Sequence, residues 1–217
     1  REAASAAEGG AAVDSATGRV FVAGGGSGRG TPGQAARGSV AAYDLHTGAQ
    51  LWQRDTELPA SAAPAVGSLS GTGGRTSVVV TVGEAAGLPD PLAEITGRLT
   101  PRASRVLALD AATGLPTGWE FAPPPYSKPE PAGDKLPFHV CLPGAWSGAS
   151  IGGDGSVYLG HMSGRLFALR DSNGDGVLSP EKEVFEFAGG RCHRGAPGLA
   201  PGLLVATPCD GMHVFKV

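Results

Sequence analysis

The side chains best suited to chemistry lie in one short run, Asp171-Ser172-Asn173-Gly174-Asp175-Gly176-Val177-Leu178-Ser179-Pro180-Glu181-Lys182-Glu183. Oxygen-bearing side chains alternate at 171, 173 and 175, and Gly176 allows a sharp reversal. Calcium takes roughly six to eight hard oxygens, and side chains at alternate positions of a curled loop converge on one ion. On that spacing the candidate calcium ligands are Asp171, Asn173, Asp175, the Val177 carbonyl, Ser179 and Glu183. Where a bidentate carboxylate would close the shell stands Lys182, a cation, with Glu181 and Glu183 on either side. A loop shifted by one residue presents one of those two instead. The same run also suits an ordinary acidic turn. Calcium is therefore expected as a structural clamp, with the plain turn as its alternative.

Other chemistry is sparse. His46, His139, His161, His193 and His213 show no His-x-His or His-Glu-x-x-His spacing, so zinc is not expected. No Gly-x-Ser-x-Gly elbow is present. The run GGGSGRGTPG at 24–33 lacks the Lys-Ser/Thr ending of a phosphate loop and precedes no helical pattern, which leaves a flexible interstrand loop. Cys141, Cys192 and Cys209 form no Cys-x-x-Cys pair. They permit one disulfide and a leftover thiol, or three free thiols. Cys141 and Cys192 precede successive equivalent segments and Cys209 sits in the last hairpin, so a Cys192–Cys209 staple is one expectation, requiring an oxidising compartment.

The elements that position these residues repeat. Gly38 to Asp55 (GSVAAYDLHTGAQLWQRD), Ser104 to Phe121 (SRVLALDAATGLPTGWEF) and Gly164 to Phe187 share one grammar. An alternating apolar strand runs into an Asp-rich turn, and a second strand then carries Trp52, Trp119, or Phe185 with Phe187. Alternation with period two puts one strand face in a core. In DLHTG and DAATG the Asp side chain accepts turn N–H groups and the Gly takes positive φ. Before each pair stands another strand (RVFVAGG, SVVVTVG, SVYLGH), and earlier still come small-residue segments such as SAAPAV and AWSGASI. Those suit an inner strand on a crowded axis. The unit is thus four strands, at about 9–56, 59–122 and 145–188, with an incomplete one at 193–217. Insertions at 84–103, where Asp90-Pro91 can start a short helix, and a Pro-rich link at 122–144 depart from the grammar and are the candidate recognition loops.

Composition agrees. Of 217 residues 36 are Gly and 18 Pro, without a collagen period, which means many turns and short strands. The net charge of −3 and the lack of a basic cluster argue against nucleic acid. No run nears the roughly 18 apolar residues a membrane helix needs.

These units, with their VxALDxxTGxxLWxF-like signature over Val40 to Trp52, Val106 to Phe121 and Leu166 to Phe187, resemble the PQQ-like repeat family of β-propellers. The resemblance implies an all-β propeller with about three and a half blades present, as a part of a larger ring. Earlier blades upstream of Arg1, a small four-bladed ring, or pairing with a second copy would each close it. The run at 171–183 resembles the EF-hand calcium loop, set between strands instead of helices. The family includes quinoprotein dehydrogenases and outer-membrane assembly lipoproteins. Its dehydrogenases hold their quinone with a vicinal cysteine pair, which is absent here, so PQQ is not expected. The expected function is a non-catalytic scaffold binding a protein or small ligand through blade loops. A PQQ-dependent dehydrogenase whose site lies in blades outside this chain is the alternative. An extracellular, periplasmic or lumenal location is favoured.

Overall fold

The computed structural model describes residues 10–25, 37–60, 62–87, 91–96, 100–135, 137 and 139–217. The opening segment up to residue 9 and most of the glycine-rich run at 24–33 lie outside them. The first sheet contains β1 (Ala11–Asp14), β2 (Arg19–Gly25), β3 (Gly38–Asp44) and β4 (Gln50–Thr56). The second contains β5 (Ala65–Ser68), β6 (Thr76–Gly83), β7 (Ser104–Asp110) and β8 (Pro116–Phe121). The third is β9 (Ser150–Ile151), β10 (Val157–Gly160), β11 (Arg165–Leu169) and β12 (Val184–Ala188). A three-stranded sheet, β13 (Gly198–Ala200), β14 (Leu203–Ala206) and β15 (His213–Lys216), completes the order. All pairs are antiparallel and sequential, and one short helix, α1 (Pro91–Thr96), follows Asp90. This is an all-β arc of propeller blades.

The blades are held by cores that lie between them. Phe21, Val40 and Trp52 of the first blade pack with Val78, Val80 and Leu109 of the second. Val79, Val106 and Trp119 of the second pack with Leu159, Phe167 and Leu169 of the third. Leu166 of the third meets Leu204 and Ala206 of the last. The alternation read in V-L-A-L and L-F-A-L therefore serves two neighbours, one on each face of a blade, while V-A-A-Y packs toward the second blade. Inner strands are small because they crowd. β1 touches β5 and β5 touches β9, and a Cβ on Gly148 would come within 3.1 Å of the Ala196 Cβ.

The Asp-rich turns explain the repeated aromatic. Trp52 Nε1 donates to the Ala111 carbonyl in the next blade's turn at 3.1 Å. Gly114 there has φ +69, and a Cβ would lie 2.7 Å from the Trp52 ring. Gly is needed both for the backbone and for the aromatic seated on it. The third outer strand differs from this reading, since Phe185 is 62% exposed and Phe187 39%. Phe187 packs on His213 and Phe215 of the incomplete last blade, at 5.3 and 5.1 Å between ring centres.

Because each blade runs antiparallel in chain order, its first-to-second and third-to-fourth connections emerge on one face. Its second-to-third connection and the links between blades emerge on the other. The two insertions share that second face and pair with each other. Arg102 and Tyr126 exchange backbone hydrogen bonds of 2.9 and 3.0 Å, and Gly87 N–H donates to the Pro129 carbonyl at 3.0 Å. The Pro-rich link is thus knitted into the fold through short bridges. The disulfide joins Cys141 to Cys209, and Cys192 is a buried free thiol. The Cys192–Cys209 expectation is corrected here. Asp134, which accepts the Cys141 and Leu142 N–H groups at 3.0 Å each, helps set Cys141, distant in sequence, against Cys209.

Candidate functional site

The run at 171–183 joins β11 to β12, the place where the first two blades carry DLHTG and DAATG. Asp44 accepts the N–H groups of His46 and Thr47 at 3.1 and 2.8 Å. The N–H and hydroxyl of Thr47 hold its carboxyl below the usual range. Asp171 stands in the equivalent place, fully buried, with Oδ1 accepting from Gly174 N–H and Oδ2 from Gly176 N–H, both at 2.7 Å. The candidate calcium loop is therefore an enlarged version of the repeat's own Asp turn.

The structure gathers the candidate ligands around that turn. Asp175 N–H donates to Asn173 Oδ1 at 2.9 Å, and Asn173 Nδ2 donates to Asp175 Oδ2 at 2.8 Å. Asp175 Oδ1 accepts Val177 N–H at 2.8 Å, while the Val177 side chain is exposed. Glu183, buried, reaches back across the loop. Its Oε1 accepts Ser172 N–H, the Ser172 hydroxyl and Asn173 N–H at 2.7, 3.0 and 3.1 Å. Its Oε2 accepts Ser179 N–H at 2.9 Å. The Ser179 N–H, aided by Ser172 and Asn173 and opposed by burial, holds the Glu183 carboxyl below its ordinary value. The Ser179 hydroxyl itself turns to Glu181 at 3.3 Å, and Lys182 is exposed. Glu183, one place beyond the expected closing position, is the carboxylate that the fold brings to the loop.

The donor set is all oxygen, with Asp171, Asp175 and Glu183 as carboxylates, which is the chemistry calcium takes. Each Asp171 oxygen accepts one protein N–H and keeps a lone pair for another partner. Glu183 Oε1 already has three donors, so Oε2 is its available oxygen. Asp171, Asn173, Asp175 and Glu183 are thus oxygen donors of one loop, each already accepting loop N–H groups.

The loop is wedged between blades two and three. The Ser70 hydroxyl donates to the Asp171 carbonyl, and Gly71 lies directly under the Asp171 carboxylate. Arg170 pairs with Asp154 at 3.1 Å beside it. Leu178 is buried in the core that holds Trp119. Trp119 Nε1, unlike that of Trp52, finds no hydrogen-bond partner among the described residues. The lengthened loop does not offer the carbonyl that the short turn offers Trp52.

Sequence reasoning missed a second feature. Between blades one and two, Leu58, Val82, Leu107 and Leu109 floor a cleft of about 230 Å³. Arg54, Glu57, Arg105 and Glu120 form its charged rim. The insertion at 84–103 springs from the two strands that carry Val82 and Arg105. Val82, Leu107 and Leu109 read as core positions of alternating strands, and nothing local marks them as facing a cleft beside the neighbouring blade.

His161, the last residue of the run SVYLGH, is buried in a polar knot between blades two and three. Its Nδ1 accepts Ser163 N–H at 3.2 Å, which places the ring proton on Nε2, 3.1 Å from Ser104 Oγ. Trp146 packs on the ring at 4.5 Å between centres. Burial, with smaller contributions from Arg165 and His193, pushes its pKa down to about 4, so the imidazole is neutral. With both ring nitrogens engaged, it is a structural group.

No protein-family model matches the chain, and no curated protein matches it. Solved structures do. BamB from Moraxella catarrhalis superposes with a TM-score of 0.55 at 15% identity, over 96% of this chain and 46% of that one. The β-propeller domain of Myceliophteria thermophila Cps50 (Swd1) is also similar, with a TM-score of 0.27 at 12% identity, over 97% of this chain and 82% of that one. The chain thus spans less than half the length of the BamB it matches. At 15% identity the likeness to BamB concerns architecture, and with four sequential antiparallel sheets that architecture is a β-propeller.

Proposed function

We infer that this chain is a PQQ-like propeller scaffold that holds a partner polypeptide or small ligand at the cleft between its first two blades, with calcium stiffening the seam between the second and third. The cleft carries the reading. It has an apolar floor of Leu58, Val82, Leu107 and Leu109, a mixed-charge rim, and an insertion rooted at its edge. Its volume lies below the roughly 300–1,000 Å³ of drug-sized ligand sites. That suits one or two inserted apolar side chains better than a large cofactor. Arg54, Arg105, Glu57 and Glu120 supply orientation at the rim.

Selection of displayed random peptides on the wild-type protein, with counter-selection on Leu107→Glu, tests this. Leu107 is half-buried on the cleft floor, so the variant places a charge where an apolar side chain would dock. Binders that hold the wild type at least tenfold more tightly than Leu107→Glu are expected. Binders indifferent to the substitution would rule out the cleft.

A further inference from the structure

We propose that Cys141, Cys192 and Cys209 form a thiol–disulfide exchange centre, in which the Cys192 thiolate displaces Cys141 from Cys209. The three sulfurs lie within 4.8 Å of one another, although the residues come from three separate inter-strand segments. Two are already joined and the third is a buried free thiol, so attacking group, disulfide and leaving group are assembled in one place.

The new bond would join existing backbone neighbours. Cys209 N–H donates to the Cys192 carbonyl at 3.0 Å, and the next residues, His193 and Pro208, form a β-bridge. Cys192 loses its proton, its Sγ bonds Cys209 Sγ, the Cys141–Cys209 bond breaks, and Cys141 leaves as a thiolate that takes up a proton. One disulfide exists before and after, so no external oxidant or reductant is consumed.

The surroundings make the resting pairing persistent. Cys192 Sγ lies 3.6 Å from Asp134 Oδ1, and Asp134 is itself buried. Burial, with the Asp134 charge and hydrogen bond, pushes the Cys192 thiol up to about 12, which keeps the attacking thiolate scarce. The leaving side is more open. Cys141 and Cys209 line a cleft of about 450 Å³ with His139, Arg191 and Arg194, and the two arginines favour a departing thiolate. Leu142, next to Cys141, holds φ +43 without being glycine, a sparsely populated and strained conformation. Exchange would free this segment from the last blade, and with it the end of the Pro-rich link on the face that carries both insertions.

The test incubates the oxidised protein at a series of pH values, quenches with acid, alkylates with N-ethylmaleimide in denaturant and maps disulfides by mass spectrometry without reduction. Cys141–Cys209 should dominate at neutral pH, and Cys192–Cys209 with alkylated Cys141 should grow as pH rises. Asp134→Asn, which removes a charge that keeps the Cys192 thiolate scarce, should accelerate that growth, roughly tenfold. Cys192→Ser should show Cys141–Cys209 alone. In Cys141→Ser, a chain with unchanged circular dichroism should form Cys192–Cys209 on mild oxidation. Cys141 that stays unalkylated at every pH, a folded Cys141→Ser that does not form the alternative bond, or stoichiometric zinc on protein purified without reductant would each overturn the proposal.

Discussion

Asp171 and Asp175 sit four residues apart in one loop and do different work. Asp171 is buried and accepts two glycine N–H groups, whereas Asp175 is exposed and bonds only within the loop tip. Asp171→Ala leaves two loop donors unpaired and should destabilise the protein by about 2 kcal/mol even without calcium. Asp175→Ala should change metal-free stability by less than about 1 kcal/mol while removing the response to calcium. Urea melts of both variants, with calcium and with EDTA, check the pair. His161 gives a pH dependence of definite sign. Its pKa is about 4 in the fold against an ordinary 6.5, so the unfolded chain takes up the proton first. Stability should therefore be fully present above pH 6.5 and fall as pH drops toward 4, by up to about 3 kcal/mol. Urea melts at several pH values read this directly, and His161→Gln should flatten the slope.

At the scale of elements, the seam between blades two and three rests on close contact. Gly71 has φ +85, and a Cβ there would meet Asp171 Oδ2 at 1.6 Å. Because Asp171 is buried and doubly bonded, it has no room to yield. Gly71→Ala should cost about 2 kcal/mol, which for a chain of this size lowers Tm by roughly 4–8 °C, and should weaken calcium affinity by displacing a ligand carboxylate. Trp119→Ala, which empties the centre of the same seam, should cost about 3–5 kcal/mol in chemical denaturation. The elements were legible in sequence because the repeat writes itself locally: an alternating strand, an Asp turn with glycine at its end, and an aromatic in the strand that follows. α1 after Asp90 was legible for the same reason. The pairing of Cys141 with Cys209 was not, since the Asp134 contacts that hold Cys141 carry no local signature. Glu183 was one of two flanking acids in sequence, and only its reach to Ser172, Asn173 and Ser179 singles it out.

At the scale of the whole molecule, the blades form an arc joined by inter-blade cores, and the candidate sites fall on these joints. The insertions and the three cysteines share one face, and the acidic loop lies on the other. The cleft was invisible in sequence because it belongs to no single blade. It lies where the end of β4 and the residues after it face β6, β7 and β8 of the next blade. The calcium part of the proposal is that the acidic loop binds the ion and thereby clamps adjacent blades. Calorimetric titration of metal-free protein with calcium, paired with thermal melts, tests it most directly. The account predicts a single site, lost in Asp175→Ala, and about 2.7 kcal/mol of added stability at a calcium concentration a hundredfold above Kd. No heat of binding, with a Tm that is the same in calcium and in EDTA, would contradict it and leave the loop as an enlarged acidic turn.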